Sequence, residues 1–473
     1  MNHPTPPNGP GAAPSPWGRD PLAVALGNAS LLNVGYLMLG RRGTALFTGT
    51  VTLYLLVLLA WAAPSGWVEG VVLLWWVFLV GHGWSLARRC GGSRGRVREQ
   101  RIVALAFAVP LLLALAVVRV DVSGIDRTVA DARRRGDCAR ALTAQRGLWL
   151  GHRVAGAPAA ARVERTAQAC RRLRAAEARL STGLTGDTRA LKAGFTGLAS
   201  VLRDLPGHER MVETTLDAFL ARLPTKNACA TATVTDWLRR VKAPYRALNR
   251  SAATVARTAP TALTGCGDAL MTAGDWEKAR ARYRQLLDQY PGNEHAAKAK
   301  DGVRRATLAI ELAHVRRLLD DPYEPEYCST PARYSGAAPY RRGTNRALFY
   351  GDDEYTSELP GKWRTTDVTK AVLVVCADEA ENGKRVETCP YRGDGPLVRG
   401  RIVAVSFHRI AVPVKVYELR TGRLVAERKV QIGGRSCPSR IRYDEPFPPS
   451  TMFVKASKAD IRDAFEPLIT GRW

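Results

Sequence analysis

The chain has 473 residues, a formal net charge of +27 and a hydrophobic fraction of 46%. This length exceeds one ordinary core, so two or more domains are expected. Residues 1–118 are rich in apolar residues and hold nine Arg, no Lys and three acids, a net +6 that leaves +21 after residue 118. Because no nucleic-acid-binding module is evident and the aromatic residues do not interleave with the basic runs, we expect a solvated, Arg-rich surface and no nucleic-acid partner.

Four apolar stretches follow a Pro-rich tail, residues 1–21, which lacks the basic start of a secretory signal and is expected to be disordered. A helix needs about 20 residues to cross a bilayer, with a range near 17–25. The first stretch is interrupted by Asn28, Ser30 and Asn33, and the last is short but uncharged. We predict four transmembrane spans, with the alternative that the first lies in the interface; they cover residues 22–39, 44–63, 68–87 and 102–118.

Basic residues between the spans predict the orientation of the chain, because loops rich in Arg and Lys stay in the cytoplasm. They lie between the first and second spans and between the third and fourth, while residues 64–67 carry none. The residues concerned are Arg41, Arg42, Arg88, Arg89, Arg94, Arg96, Arg98 and Arg101. An alternating chain then places everything after residue 118 outside the cytoplasm, in a multi-pass protein of the plasma membrane.

The first predicted turn carries a family resemblance. The sequence reads GNASLL at residues 27–32 and GYLMLGRR at residues 35–42. This segment, to near residue 63, resembles the TM2-type membrane module, a helical hairpin whose short turn has a Gly-Arg-type signature. The resemblance implies a hairpin and no chemistry. His82 lies about one turn from the cytoplasmic end of the third span, where it can reach the interface, so we expect a structural role for it.

Residues 122–320 alternate Ala-, Leu- and Arg-rich helical segments with Gly or Pro breaks. In the clearest unit, residues 260–293, small or apolar residues recur at Leu263, Gly267, Leu270, Gly274, Ala279, Tyr283 and Pro291. This spacing resembles a tetratricopeptide repeat, a helix pair of 34 residues. Since one helix pair cannot bury its own apolar face, we predict three to five hairpins stacked as an α-solenoid, with a plain helical bundle as the alternative. The resemblance implies a surface for a protein partner.

The residue pattern changes after residue 320, where a Pro-rich linker ends the helical periodicity and precedes short runs of β-branched residues. Strands are predicted at residues 371–377, 402–408, 412–419 and 424–432, and a last helix at 458–469. Thr421-Gly422 predicts a hairpin turn between the last two strands. We therefore predict a small α+β domain over residues 328–473. The fold class is mainly α: N-terminal transmembrane helices, an extracytoplasmic tetratricopeptide-like solenoid and this C-terminal domain.

No catalytic, cofactor-binding or metal-binding residue is predicted. The acidic run Asp352-Asp353-Glu354 is contiguous, whereas calcium loops place their oxygen ligands at alternate positions. No Gly-rich phosphate loop, zinc-type His pair or nucleophile elbow is evident. If the C-terminal domain were an envelope enzyme, the acids to inspect would be Asp352, Asp353, Asp378 and Glu379.

Eight of the nine cysteines follow the predicted spans, and Cys90 stands apart on the cytoplasmic side. The eight are Cys138, Cys170, Cys229, Cys266, Cys328, Cys376, Cys389 and Cys437. An even number beyond the membrane predicts disulfides in an oxidising compartment, and eight reduced thiols are the alternative. We expect the pairs Cys138–Cys170, Cys229–Cys266, Cys376–Cys389 (flanking a turn at Asn382-Gly383) and Cys328–Cys437.

The leading hypothesis from the sequence is a non-enzymatic, membrane-anchored scaffold or binding protein of a bacterial cell envelope. Its partners would be the membrane itself, a protein bound by the helical region, and an anionic envelope polymer or lipid headgroups. One alternative is an envelope enzyme, or a wall-polymer-binding protein, acting through the C-terminal domain. Another is a membrane sensor.

Overall fold

A computed structural model describes residues 20–61, 66–89, 97–393, 400–443 and 447–472. Within them the protein is mostly helical with a C-terminal sheet, and it divides into two compact units, Met1–Ala259 and Pro260–Trp473. Most of the expected N-terminal tail lies outside the described residues, as do Cys90, Arg94 and Arg96.

The N-terminal apolar stretch forms two short helices, α1 (Pro21–Ala29) and α2 (Val34–Met38). Between them Leu31 and Asn33 have φ angles of 59° and 54°, in the left-handed region that L residues rarely adopt. The Ser30 hydroxyl donates a hydrogen bond to the Gly27 carbonyl at 2.6 Å and so competes with the helical backbone pattern. Residues 22–39 therefore contain two short helices and not one long helix, and a first span over them, or its alternative position in the interface, stays a prediction.

Three helices follow, α3 (Arg42–Trp61), α4 (Gly66–Arg89) and α5 (Val97–Arg135). Among the described residues, these are the helices long and apolar enough to cross a membrane. Only 17%, 17% and 11% of their apolar windows are buried within the protein. Large side chains such as Leu46 and Leu74 are 76% and 71% exposed. An exposed apolar surface of this extent is typical of helices that cross a membrane, which agrees with the second, third and fourth predicted spans.

The helix α5 continues without a break from its apolar window into the region beyond the membrane. It has 39 residues, including Pro110, and is about 58 Å long at 1.5 Å per residue. Its last part packs into the helical region, where Val122, Val129 and Ala132 are buried. The sequence predicts separate helices on either side of residue 120, whereas the structure has one.

Six helices follow α5: α6 (Cys138–Gln145), α7 (Leu150–Ala155), α8 (Ala157–Gly183), α9 (Thr188–Asp204), α10 (Glu209–Leu220) and α11 (Ala228–Arg240). The pair α8 and α9 packs closely because glycine faces leucine: a methyl group at Gly194 would lie 2.6 Å from Cγ of Leu180. Asp187 is the N-cap of α9, and its carboxylate accepts hydrogen bonds from the backbone N–H groups of Arg189 and Ala190.

Three further helices follow, α12 (Ala252–Thr272), α13 (Trp276–Gln289) and α14 (Ala296–Leu318). The turn between α12 and α13 contains Gly274, whose φ of +77° favours glycine. The helix pair expected at residues 260–293 is therefore present. Its extension into a stacked α-solenoid stays a prediction.

The C-terminal domain contains the strands β1 (Ala347–Gly351), β2 (Leu373–Ala377), β3 (Glu381–Arg392), β4 (Ile402–Glu418), β5 (Arg423–Ile432) and β6 (Thr451–Phe453), followed by α15 (Lys458–Thr470). The path β1-β2-β4-β3 forms one sheet, and β5 and β6 also pair with β4. Strands β2, β3 and β5 run antiparallel to β4, and β6 runs parallel to it. The long strand β4 therefore pairs with every other strand of the sheet except β1, which pairs with β2.

Several predictions for this domain are confirmed and others are corrected. The helix α15 and the hairpin at Gly422, with φ of +71°, lie where the sequence places them. The two strands expected at residues 402–408 and 412–419 are one strand of 17 residues. The turn expected at Asn382-Gly383 is part of β3, because Asn382 pairs with Ile410 of β4.

Both faces of the sheet around β2 are covered. On one face Phe465 and Leu468 of α15 pack against Val375 and Val414, and all four are at most 2% exposed. On the other, Val374 belongs to a cluster that includes residues at the end of α14. The β3 end of the sheet is different, because the described residues cover only one of its faces.

Candidate functional site

The eight cysteines beyond the apolar helices are all disulfide-bonded. Cys138, at the start of α6, bonds Cys170 in α8, with Cα atoms 5.3 Å apart, within the usual range for a disulfide. This confirms the predicted pair. Cys229 and Cys266 each form a disulfide as well, and their predicted pairing stays a prediction.

The two pairs predicted for the C-terminal domain are wrong. Cys328 bonds Cys376 and Cys389 bonds Cys437, with Cα–Cα distances of 5.9 and 5.8 Å. The expected Cys376–Cys389 pair depends on a hairpin turn between them. Instead β2 and β3 each pair with β4, so the two cysteines lie on strands that do not pair with each other.

The predicted repeat positions form the packing core of the helix pair. Leu263, Ala279 and Tyr283 are buried, Leu270 is half-buried, and Pro291 follows the C-cap of α13. Methyl groups at Gly267 of α12 and Gly302 of α14 would lie 2.5 and 2.6 Å from the Tyr283 ring. Tyr283 therefore fills a slot between two glycines, of which the sequence predicts only Gly267.

A polar group closes one end of this slot. The Tyr283 hydroxyl donates a hydrogen bond to Asp268 Oδ1 at 2.6 Å, and Lys298 Nζ lies 2.7 Å from Asp268 Oδ2. Burial raises the pKa of Tyr283, and the hydrogen bond to Asp268 raises it further. Burial also acts to raise the pKa of Asp268, but the hydrogen bonds from Lys298 and Tyr283 together lower it. The group ties α12, α13 and α14 together.

The acids singled out in the sequence directly follow two paired strands of the sheet, β1 and β2. Gly351 and Ala377 are paired residues of the parallel strands β1 and β2, so Asp352 and Asp378 leave the sheet side by side. The backbone N–H of Asp352 donates to the Ala377 carbonyl at 3.0 Å. The next residues, Asp353 and Glu379, are exposed. This acidic edge, defined by Asp352, Asp353, Asp378 and Glu379, therefore places two distant segments next to each other at the ends of β1 and β2.

A different group has the closest approach to metal-ligand geometry. Within the described residues, one set of three possible ligand atoms lies within 4.8 Å of one another, from Glu387, Cys389 and Cys437. The two sulfurs are bonded to each other in a disulfide. They supply no thiolate, so this arrangement does not fit a structural zinc site.

Polar side chains also link the membrane helices. Asn28 is fully buried; its Nδ2 donates to the Leu79 carbonyl of α4 at 3.2 Å, while its Oδ1 has no hydrogen-bond partner and packs against Gly35. The Tyr36 hydroxyl lies 2.8 Å from His82 Nδ1. Small residues and interhelical hydrogen bonds of this kind hold helices together in lipid. These contacts support the structural role expected for His82.

Two ion pairs lie at the opposite ends of the apolar part of α5. Arg101 Nε is 2.6 Å from Asp20, and an Arg119 guanidinium nitrogen is 3.9 Å from Glu69. Residues 102–118 between the two arginines carry no charge. The 18-residue separation is about 27 Å along a helix, close to the roughly 30 Å hydrocarbon thickness of a bilayer. Arg41, Arg42, Arg88 and Arg89 lie at the helix ends on the Arg101 side of α3 and α4.

A cavity of about 450 Å³ opens between α10 and the start of α12. Leu220 and Ala221 give it an apolar wall, and Arg250 donates to both carboxylate oxygens of Asp217 at 3.1 Å. Arg257 also lines the cavity and is exposed. The combination of an apolar wall with an exposed guanidinium suits an acidic side chain next to an apolar one.

We call the uncovered face at the β3 end of the sheet the open face. The side chains of β3 and β4 alternate there: Cys389, Val405 and Phe407 point to a small buried core, with Val454. The opposite side is exposed or half-exposed to solvent. The open face consists of Arg385, Thr388, Pro390, Arg392, Ile402, Ala404, Ser406, His408, Thr451 and Phe453.

The register of β3 and β4 places open-face residues in four successive cross-strand pairs, each of which is called a level. Arg392 is opposite Ile402, Pro390 opposite Ala404, Thr388 opposite Ser406, and Arg385 opposite His408. Thr451 and Phe453 of β6 extend the last two levels. From Ile402 to His408 the face is about 20 Å long at about 3.3 Å per residue. None of the predicted strands includes β3, although the alternation of polar and apolar residues over residues 388–392 is typical of a strand.

No protein-family model, no curated protein and no solved structure matches this chain. The TM2-type and tetratricopeptide resemblances rest on the residues quoted for them.

Proposed function

We propose that this protein is a membrane-anchored, non-enzymatic binding protein of a bacterial cell envelope, whose residues after the apolar part of α5 lie outside the cytoplasm. The observation that carries the proposal is the distribution of cysteines. All eight that follow α5 are disulfide-bonded, which is typical of an oxidising compartment. The basic residues between the apolar helices support the same orientation through an unrelated physical effect.

The native thiol of Cys90 offers a direct test of sidedness. It precedes α5, and the other eight cysteines are disulfide-bonded. A membrane-impermeant maleimide should leave Cys90 unlabelled in intact spheroplasts and label it once the membrane is opened. The variant Gly361→Cys should be labelled in intact spheroplasts, because that exposed position has open space around it.

Cys90→Ser provides the background for both measurements. Labelling of Cys90 in intact spheroplasts, or protection of Gly361→Cys there, would reject the proposed orientation. Non-reducing mass spectrometry of each variant verifies that the native disulfides are intact.

The helical region supplies the binding surface of the proposal. The packing of Tyr283 against Gly267 supports the tetratricopeptide-like interpretation of residues 260–293, and such repeats typically bind peptides or assemble complexes. The cavity beside α10 adds a second feature, an exposed Arg257 next to an apolar wall. We infer a protein partner that presents an acidic and an apolar side chain together.

A peroxidase fused to the C-terminus allows proximity labelling of such a partner in the native host. The wild-type fusion should label a reproducible set of envelope proteins, and Arg257→Glu should reduce the labelling of the partner by reversing the charge at the cavity. Arg165→Glu on α8 is the matched control, because Arg165 is exposed and does not line the cavity. A set without envelope proteins, or equal losses in both variants, would contradict the proposal.

An envelope enzyme is the second candidate, favoured by the acidic edge at Asp352 and Asp378. Two carboxylates close together can divide acid and base roles in the hydrolysis of a polymer. Hydrolysis of labelled cell-wall material by the purified chain, abolished in Asp352→Asn and Asp378→Asn, would replace the binding proposal with this one.

A further inference from the structure

The sequence around the open face is strongly basic. Residues 381–443 contain fourteen Lys or Arg and five Asp or Glu. Three of the acids are engaged elsewhere: Glu381 pairs with Lys429, Glu387 accepts from Ser436, and Glu418 accepts from Thr421. No acidic residue is among the ten residues of the open face. The open face itself therefore carries positive charge from Arg385 and Arg392 and no negative charge, which favours an anionic ligand.

The charged side chains of the open face are arginines at its two ends. Arg392 lies at the Ile402 level and Arg385 at the His408 level, about 20 Å apart along the strands. Both are exposed. A guanidinium binds phosphate oxygens in a bidentate manner. Two such groups at this separation fit an elongated ligand with repeated negative charges better than one small anion.

Hydroxyl groups occupy the stretch between the arginines. The Thr388 and Ser406 hydroxyls lie 3.0 Å apart, and Thr451 is at the same level on β6. At the neighbouring level, Pro390 and Ala404 have short side chains that project little from the sheet. A ligand lying along the face would meet hydrogen-bonding groups between its charges, which suits a polymer with hydroxyl-bearing units between its phosphates.

The distribution of apolar side chains argues against a lipid surface as the ligand. Ile402 is 72% exposed and Phe453 39% exposed, but they lie at opposite ends of the face with hydroxyls between them. They form no continuous patch for insertion into a bilayer. Among the described residues of the face, Phe453 has the one phenyl ring, whereas proteins that bind single-stranded nucleic acid stack successive bases on several aromatic rings.

We propose that the open face binds a linear polyanion of phosphodiester-linked polyol units, with Arg385 and Arg392 as the phosphate contacts and the Thr388 and Ser406 hydroxyls between them. This inference rests on the proposed function, because such a polymer would be met in the envelope outside the membrane. The open face would then be a second binding surface of the anchored protein, one that binds this class of polymer without reacting with it.

The test measures fluorescence anisotropy of end-labelled poly(glycerol phosphate) with the full chain purified in neutral detergent. In low salt, Arg385→Gln/Arg392→Gln should weaken binding at least tenfold. Loss of two contacts should also reduce the slope of log affinity against log salt by about 1.4, at about 0.7 per phosphate of a single strand. Arg165→Gln/Arg174→Gln on α8 removes the same charge elsewhere and should change affinity less than twofold.

A second pair of variants tests the polyol part of the ligand. Thr388→Val/Ser406→Ala should weaken the binding of poly(glycerol phosphate) several-fold and leave that of inorganic polyphosphate, which has no hydroxyl groups, unchanged. Intact disulfides and an unchanged thermal transition verify that each variant is folded.

Three results would overturn the inference: no binding of poly(glycerol phosphate), equal losses in the two arginine double variants, or equal affinity for oligo-dT or anionic vesicles with the same dependence on Arg385 and Arg392. Binding in detergent does not depend on orientation in the cell. Labelling of Cys90 in intact spheroplasts would thus reject the proposed function alone, and failure of the polymer to bind would reject this inference alone.

Discussion

The hydroxyl of Tyr283 donates a hydrogen bond of 2.6 Å to Oδ1 of Asp268, across the contact between α13 and α12. The tyrosine ring is fully buried between Gly267 and Gly302, so the hydroxyl has a fixed position. Asp268 also contacts Lys298 of α14. One carboxylate therefore connects the predicted helix pair to the helix that follows it.

Replacing Tyr283 with Phe tests this hydrogen bond while the ring keeps filling its slot. We expect Tyr283→Phe to lower the free energy of unfolding by about 1 kcal/mol, a typical value for one hydrogen bond. The measurement is denaturant unfolding of the purified chain in detergent. Tyr323→Phe is the control, because Tyr323 is 70% exposed and should unfold like the wild type. Equal shifts in both variants would mean that the hydroxyl contributes nothing specific.

The lowered pKa of Asp268 predicts a pH dependence with a definite sign. Its folded-state pKa lies below the unfolded value of about 3.9, so the ionised carboxylate adds stability above that value. This stability is lost as the pH falls through the folded pKa. The difference in Tm between the wild type and Asp268→Asn should be largest near neutral pH and should shrink below about pH 4. A difference that is constant with pH would contradict this assignment.

The disulfide connectivity predicts the peptides released by digestion without reduction. We expect linked fragments containing Cys138 with Cys170, Cys328 with Cys376, and Cys389 with Cys437. Mass spectrometry of the purified chain distinguishes these pairs from the alternatives. A fragment linking Cys376 to Cys389 would contradict the strand arrangement of the C-terminal sheet.

Removal of one of these bonds should be costly. The Cys389–Cys437 bond joins the small core beneath the open face and closes a loop with a sequence separation of 48 residues. The variant Cys389→Ser/Cys437→Ser should lose about 2–4 kcal/mol, a typical value for a disulfide. Proteolysis near β3 should accelerate more than proteolysis within α8, and uniform acceleration would argue against a local role.

Two glycines of α4 provide a matched test of packing in the membrane. A methyl group at Gly83 would meet Nδ2 of Asn28, whereas nothing lies within 4 Å of one at Gly81. We expect Gly83→Leu to separate α1 from α4 and to lower the Tm in detergent by several degrees. Gly81→Leu should be close to neutral, because its side chain meets open space. A similar loss in both variants would exclude the Asn28 contact as the cause.

The sequence predicts the membrane helices and the helix pair well, because both depend on local periodicity and length. Residues 102–118 are uncharged and are recognisable as a span without any tertiary information. Gly267 and Tyr283 follow a spacing set by one helix contact. The partner Gly302 lies on the next helix, outside the pattern, and its role emerges only from packing.

The C-terminal disulfides and the open face could not be predicted in the same way. The Asn382-Gly383 dipeptide has the composition of a turn, yet pairing with β4 holds it in an extended strand. That single change alters two disulfides, because Cys389 then faces Cys437. The acidic edge likewise depends on the parallel pairing of β1 and β2, which the sequence does not indicate.

The uninterrupted helix α5 has a mechanical consequence. A flexible joint at the membrane surface would let the outer helices turn freely, but no such joint interrupts the 39 residues of α5. A rotation of its apolar part about the helix axis is carried directly to Val129 and Ala132, which are buried among the helices beyond. A shift by one helical residue corresponds to about 100° of rotation and 1.5 Å of translation. One continuous helix therefore connects the apolar window of α5 to the helices that pack against Val129 and Ala132.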